Sequence, residues 1–347
     1  MSGLMMHLMM AHKINPNGDV LYYLGNIAPD AVSDWKKKDL THFRNLENRR
    51  DALDDLARKI DPTDSFAEGI LMHLYLDWKW DLKARDAFIS KTKGEWVQKY
   101  REEIGKASSY AYHHTDWASS IWEAISACDV SKYGNIPGAT AQECKNFIER
   151  NHRWHKETKT KRSKEFSPKF IEKFINKTAK EYVEWKIAHE IRYYNSLPVT
   201  FNGFVDVPAM TDGNIEVVCV EKKEGIPEKK RVPGYEFDIR IQGKRIGGVN
   251  FRVGYNENLY YSGHIGYAVD KKHRGNRYAE KACRLIVPVI RAHGMDRVII
   301  TNNHTNIASK KTCENLGAKF IRLAPLPEWH DLYGEGQKLI NVFEWRI

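Results

Sequence analysis

This chain lacks most features that would classify it at once. Its 347 residues include only five cysteines, Cys128, Cys144, Cys219, Cys283 and Cys313, widely spaced and without a CxxC pair. That pattern argues against a disulfide framework or a cysteine zinc site, and for reduced thiols in a cytosolic compartment. Long apolar runs, internal repeats and low-complexity tracts are missing too. The opening "MSGLMMHLMMAHK" is apolar but short, has no basic leader or small-residue cleavage site, and is interrupted by His7. It reads as neither a signal peptide nor a membrane span. Charge is not one-sided either: 55 Lys and Arg stand against 45 Asp and Glu, for a formal net charge of +10. A pI near 9.1 would suit nucleic acid, anionic lipid or a phosphate-bearing cofactor. The two signs are interspersed, however, and the densest basic run, "HKETKTKRSKEF" at residues 155 to 166, reads as a solvated helix end or linker. No stable nucleic-acid partner is expected.

What is present falls into two textures, and the length itself suits two domains. Up to about residue 190 the apolar residues recur at three and four, as in "NRRDALDDLARKI", "GEWVQKYREEI" and "FIEKFINKTAKEYVEWKIAHEI", which predicts an all-α domain. Turns are expected at "NPNG" (15 to 18), "DPTDS" (61 to 65) and "YGNIPGAT" (133 to 140). Beyond "NSLPVT" the runs "YEFDIRI", "RIGGVNFRV", "LYYSGHIGYAV" and "RVIIT" are β-branched and aromatic, as strands are. Gln242-Gly243 is expected to turn a hairpin. "AEKACRLIVPVIRAHG" and "IASKKTCENLG" read as helices closed by Gly294 and Gly317. The expected domains are 1–194 and 195–347.

In the helical half, "GILMHLYLDWKWD" places His73 and Asp77 four residues apart on one helical face amid Ile70, Leu71, Leu74 and Leu76. Burying both unpaired would cost roughly 1–3 kcal/mol each, so a metal ion or a mutual hydrogen bond must satisfy them. His7, Asp30 and His42 add further imidazole and carboxylate groups within the first 77 residues, the donors zinc takes in hydrolytic sites. The order "HL…A…YLGNIAPDA…THF…ILMHLYLD" resembles the zinc-dependent phospholipase C family, specifically its small intracellular members, over about residues 4 to 82. The resemblance implies one zinc held by Asp30, His42, His73 and Asp77, with Asp77 bridging to a second that takes His7. It also implies Asp30 as the base of a phosphoester hydrolysis. Asp34 and Asp81 lie nearby in sequence and read as surrounding or exposed carboxylates. The family's third zinc has no clean equivalent among His113, His114, Asp116, His152, His155 and His189.

In the second half, "GHIGYAVDKKHRGNRYAEKACRLIVPVIRAHGMDRVIITNNHTNIASKKTCENLGAKF" runs strand, glycine turn, helix, strand, helix. A turn that opens a helix offers outward N–H groups and a positive helix end to a pyrophosphate. The run resembles the GNAT family of acetyl-CoA-dependent N-acetyltransferases from about residue 197 onward. That implies an α+β domain with a mostly antiparallel sheet and flanking helices. It also implies acetyl-CoA held by the strand ending at Val269, by the turn Arg274, Gly275, Asn276, Arg277, Tyr278 and Ala279, and by Asn306 and Ser309. Three positions depart from the family pattern: Lys272, which stands where the motif begins with Gln or Arg; Arg277, which cannot take unusual backbone angles as glycine can; and Cys313, which stands where many members carry an acidic Tyr. Cys313 is either a proton donor or a packing thiol. His264 and Glu236 are candidate bases by strand position, or else structural. The resulting expectation is a bifunctional enzyme, a zinc hydrolase fused to an acetyltransferase of a small-molecule amine, with one or two Zn2+. The alternative is an acetyltransferase joined to a degenerate or structural metal-binding domain. A homodimer is left open.

Overall fold

The computed structural model describes residues 2–92, 94–129 and 138–347; residues 133–137 of the expected turn at "YGNIPGAT" lie outside them. Contacts divide the chain into two compact units, Met1–His189 and Glu190–Ile347. No helix among the described residues is long and apolar enough to cross a membrane.

The first unit is helical: α1 Leu4–Ile14, α2 Val20–Ile27, α3 Trp35–Thr41, α4 Arg49–Lys59, α5 Ser65–Trp80, α6 Asp86–Lys91, α7 Trp96–His113, α8 Ala118–Ser126, α9 Ala141–Glu157 and α10 Pro168–Asn195. A 3-10 turn, Ala28–Ala31, extends α2, and a π turn, Asp81–Arg85, joins α5 to α6. Side-chain oxygens fix several starts, since Asp19 caps α2, Asp34 caps α3 and Asp64 caps α5. Helix α5 is buried along most of its length, from Glu68 and Gly69 to Asp77 and Trp80. Against it lies α2, and the two backbones touch at a pair of glycines. A Cβ on Gly69 would sit 2.3 Å from the carbonyl oxygen of Tyr22, and one on Gly25 would sit 2.1 Å from that of Phe66. This crossing sets His73 beside Asn26, whose carbonyl oxygen accepts from His73 Nδ1 at 2.9 Å.

The second unit begins at Glu190, inside α10 and five residues before the expected boundary. The reason is local, because Glu190 accepts hydrogen bonds from both Arg322 Nε, at 2.8 Å, and Arg322 Nη2, and from the Tyr260 hydroxyl at 2.5 Å. Five strands, β1 Met210–Thr211, β2 Glu216–Lys223, β3 Gly234–Ile241, β4 Lys244–Arg252 and β5 Ile265–Val269, form an antiparallel sheet in chain order. Gln242 and Gly243 turn the β3–β4 hairpin with φ of 47° and 77°, as a tight hairpin requires. Helix α11 Glu257–Ser262 precedes β5. After it come α12 Tyr278–Leu285, α13 Val287–Ala292, β6 Arg297–Asn303, α14 Ile307–Leu316, β7 Lys319–Pro325, α15 Asp331–Gly334 and β8 Leu339–Arg346. The last three strands form a second antiparallel sheet, ordered β6-β8-β7. The single helix expected over "AEKACRLIVPVIRAHG" is two, α12 and α13. Pro288, near the start of α13, has no N–H to continue the ladder.

Strands β5 and β6 meet only at their apex and then diverge. His264 N donates to Ile299 O at 2.7 Å, and Ile299 N donates back to His264 Nδ1 at 2.9 Å. From Ile265 onward β5 pairs with β4 alone. His264 Nε2 donates to Gly254 O at 2.8 Å, so both ring nitrogens are committed to backbone groups and the ring is a fully buried wedge. The expectation that His264 acts as a base is therefore corrected: no lone pair is left to take a substrate proton.

Two outcomes follow. Gly69→Ala forces α2 and α5 apart, and chemical denaturation should show a loss of about 2–3 kcal/mol; an unchanged midpoint would contradict the backbone contact. Burial pushes His264 down to about 4. The folded state then resists a proton that the unfolded chain accepts below its ordinary value of about 6.5, so this contribution is complete above that pH and declines as pH falls toward 4. By pH 5 the decline is about 2 kcal/mol. His264→Gln should flatten that part of the stability–pH curve, and an identical slope in the variant would sink the assignment.

Candidate functional site

In the helical unit, α5 presents His73 and Asp77, the 3-10 turn presents Asp30, and the C-cap of α3 presents His42. One donor atom from each of these four buried residues falls within 4.8 Å of all the others. His42 Nε2 and His73 Nε2 are 3.2 Å apart. From Asp30 Oδ1 they lie at 3.7 and 3.9 Å, and from Asp77 Oδ2 at 3.8 and 3.9 Å. Four donors around a tetrahedral zinc at about 2.0–2.1 Å would be about 3.4 Å from one another, so the set fits with small adjustments.

The proton positions make the same point. His73 Nδ1 faces Asn26 O at 2.9 Å, and His42 Nδ1 faces Lys38 O at 2.9 Å. A carbonyl only accepts, so each Nδ1 carries the proton and each neutral ring turns a bare Nε2 lone pair toward the other. Burial pushes His42 down to about 4 and His73 further below its ordinary value, which keeps the rings neutral. Asp30 Oδ1, also buried, accepts no well-directed hydrogen bond. Lys38 Nζ lies 2.8 Å from it but directs its bond to Asp30 O at 3.1 Å. Burial works to raise the Asp30 carboxyl, and Lys38, His73 and His7 together outweigh it and hold the group below the usual carboxylate range. Two lone pairs and two carboxylate oxygens converging in a dry interior suit a divalent cation. A zinc ion fits the donor set.

His7 stands outside these four. Its ring stacks on His73 with centroids 3.8 Å apart, and its Nε2 lies 2.8 Å from Ser2 Oγ and 3.4 Å from Asp77 Oδ1. Asp77 thus turns one oxygen toward the cluster and the other toward His7. Arg44 Nη2 also donates to Asp77 Oδ2 at 2.9 Å. Asp81 is held by guanidinium groups of Arg44, Arg49 and Arg85 at 2.9–3.2 Å, and Asp34 is a helix cap, so neither ligates. The later histidines are dispersed. His113 meets Thr158 O, His114 meets Tyr110 O, His152 meets Ser126 Oγ, and His189 meets Trp185 O. His155 differs, because its Nε2 pairs with Ser108 Oγ at 2.9 Å and both residues line a cavity of about 420 Å3 that also reaches Asp30, Lys38 and Arg44. Sequence reasoning missed Lys38 and Arg44; their spacing from Asp30 carries no motif.

In the second unit a cavity of about 490 Å3 lies between the end of β5, the start of α12 and α14. Val269, Arg274, Gly275, Arg277, Tyr278 and Ala279 line it, as do Asn306 and Ser309. Asn276 does not; its amide donates to His273 O and Arg274 O and closes the turn. Gly275 has φ of 86° with open space where a Cβ would stand, which leaves its backbone bare to the cavity. Arg277 caps α12 at φ 58°, so the expectation that arginine cannot reach the left-handed region is corrected. That conformation costs about 1–2 kcal/mol, and Arg277 Nε is held by Glu280 at 2.7 Å. Cys313 is fully buried and does not line the cavity. Its Sγ lies 3.7 Å from Asn302 Nδ2 and 3.9 Å from the Tyr267 hydroxyl, and burial pushes the thiol up to about 11. Tyr267, unremarked in the sequence, does line the cavity, with its hydroxyl 2.9 Å from Ser309 Oγ. Glu236 pairs with Lys223 at 3.1 Å on the sheet surface.

No curated protein matches the chain. Among solved structures, RimL, a ribosomal L7/L12 alpha-N-protein acetyltransferase in complex with coenzyme A, is 12% identical, covers 40% of this chain and 98% of its own, and gives a TM-score of 0.31. RimJ of Mycobacterium smegmatis in complex with CoA-disulfide is 14% identical over 43% of this chain and 90% of its own, with a TM-score of 0.30. The microcin C7 self immunity acetyltransferase MccE, in complex with acetyl-CoA and AMP, is 18% identical over 33% and 61%, with a TM-score of 0.27. Residues 219–319, within the second unit, match the family model described as an acetyltransferase (GNAT) domain.

Proposed function

We propose that this chain is a bifunctional enzyme, an acetyl-CoA-dependent N-acetyltransferase joined to a metal-dependent phosphoester hydrolase. The transferase reading is supported by one observation above all: the cavity beside the end of β5 is lined by the bare turn at Gly275, by Arg274 and Arg277, and by the starts of α12 and α14. Outward amides, two guanidiniums and a helix start suit a pyrophosphate. The free edge of β5 offers backbone groups to an extended cofactor arm. In the reaction an amine nitrogen bonds to the thioester carbonyl carbon and gives up a proton to solvent water, the C–S bond breaks with its electron pair going to sulfur, and the thiolate takes a proton. Tyr267 lines the cavity and is proposed to give that proton, although burial raises its hydroxyl as it raises the Cys313 thiol, and Cys313 does not line the cavity. The acceptor is proposed to be a small-molecule amine.

The hydrolase reading is supported by the cavity that reaches one of the four donors, Asp30, together with Lys38 and Arg44. A divalent ion held by Asp30, His42, His73 and Asp77 would acidify a bound water and draw charge from an ester oxygen. Lys38 and Arg44 place cationic donors at the same end of the cavity for phosphoryl oxygens. One observation favours the alternative, a structural metal beside a lone transferase: four protein donors already complete a tetrahedron, as closed sites do.

Acetyl-CoA at about 100 times its Kd should stabilise the full chain by ~2.7 kcal/mol, seen as a rise of several degrees in Tm. Gly275→Val, strained at φ 86° and filling the cradle, should lose most of that rise; no shift in the wild type sinks the transferase. Elemental analysis should find about one zinc per chain, lost in His42→Ala and His73→Ala, and chelation should lower Tm. Metal-free protein with an unchanged Tm would remove the metal centre. Release of nitrophenol from bis(4-nitrophenyl) phosphate by the zinc-loaded chain supports hydrolysis, and retained zinc without turnover assigns the ion a structural place.

A further inference from the structure

We infer that the cavity of the helical unit receives a compact aryl phosphate, one flat aromatic group bearing a phosphate, in preference to a lipid phosphate. This rests on the hydrolase reading above and names its substrate class. The charged end comes first. Lys38, Arg44, Arg85 and Arg101 line the cavity against only two carboxylates, Asp30 and Asp39. Lys38 Nζ pairs with Asp30 at 2.8 Å and Arg44 Nη2 with Asp77 at 2.9 Å, so these cations stand beside the donor carboxylates. A divalent ion taken up by those carboxylates would leave this end of the cavity positive, and a doubly charged phosphate complements it.

Much of the remaining lining is aromatic. Trp35 of α3, Trp96 of α7 and Trp154 of α9 all border the same cavity. Trp35 is 55% exposed and Trp154 37%, large apolar faces left to solvent at the rim of a charged site. The Arg101 guanidinium lies 5.8 Å over the Trp35 ring, which steadies that face by a cation–π contact. Indoles from three helices offer planar surfaces for stacking a planar ring, whereas paired acyl chains need a long apolar groove. The volume, about 420 Å3, is that of a site for one drug-sized molecule. On α7, Gly105 leaves part of this wall open, since a Cβ there would meet only the Trp154 ring, at 3.8 Å.

The test is calorimetric titration of the zinc-loaded full chain with 1-naphthyl phosphate, inorganic phosphate and dodecyl phosphate at one ionic strength. Naphthyl phosphate should bind at least about tenfold more tightly than either of the others. Gly105→Leu fills the aromatic wall without touching a donor of the cluster, and it raises helix propensity, so loss of fold cannot explain its effect. It should weaken naphthyl phosphate by about tenfold or more while inorganic phosphate is unmoved, and Trp96→Ala should act in the same direction. Equal or tighter binding of dodecyl or inorganic phosphate, or a Gly105→Leu variant that binds naphthyl phosphate as the parent does, overturns the inference. Because binding is read without turnover, selective binding with no release of naphthol would sink the hydrolase reading and leave the ligand class standing. Turnover of bis(4-nitrophenyl) phosphate without naphthyl selectivity would do the reverse.

Discussion

A buried imidazole has one proton to place, and the backbone decides where it goes. In both units this constraint shapes the site. His42 and His73 each give Nδ1–H to a carbonyl, so their Nε2 lone pairs face each other. His264 gives Nε2–H to Gly254 O, which leaves Nδ1 to take the Ile299 amide and pin two strands at the point where they part. The same side-chain chemistry yields a pair of inward-facing lone pairs in one setting and a wedge in the other. The difference lies in whether the remaining nitrogen meets a donor or another lone pair.

Around the first site the charges are arranged in layers. Asp30 and Asp77 face the cluster with one oxygen each, and Lys38 and Arg44 stand on their outer sides. Asp81, one turn further along from Asp77, gathers Arg44, Arg49 and Arg85. This outer layer orients the carboxylates much as hydrogen-bonded neighbours orient metal ligands generally. It also gives the cavity its cationic end.

Much of this was legible beforehand. The three-and-four periodicity foretold the helices, and the i, i+4 interval of His73 and Asp77 put them on one buried face. The GNAT-like run foretold the turn, with all of its expected residues except Asn276 lining the cavity. Asn276 escaped because a residue inside a turn can face its own backbone as readily as a ligand. Pro288 split a helix that its periodicity made continuous. Arg277 entered the left-handed region because the turn geometry and Glu280 hold it there, and local preference was overruled by context.

By itself the sequence determined which residue types could do chemistry and at what local spacing: imidazoles and carboxylates on helices, a glycine turn before a helix, reduced and scattered thiols. Local spacing follows from helix and strand geometry, which the sequence carries directly. Only the tertiary structure decided which of those groups converge. The glycine contact between α2 and α5 brings Asn26 and Asp30 to His73, and α3 carries in His42, Lys38 and, just beyond its end, Arg44. The packing of α14 beside the end of β5 sets Tyr267 at the cavity and hides Cys313. Convergence depends on packing between segments distant in sequence, where a difference of an ångström at a glycine contact separates a site from a scatter of polar residues.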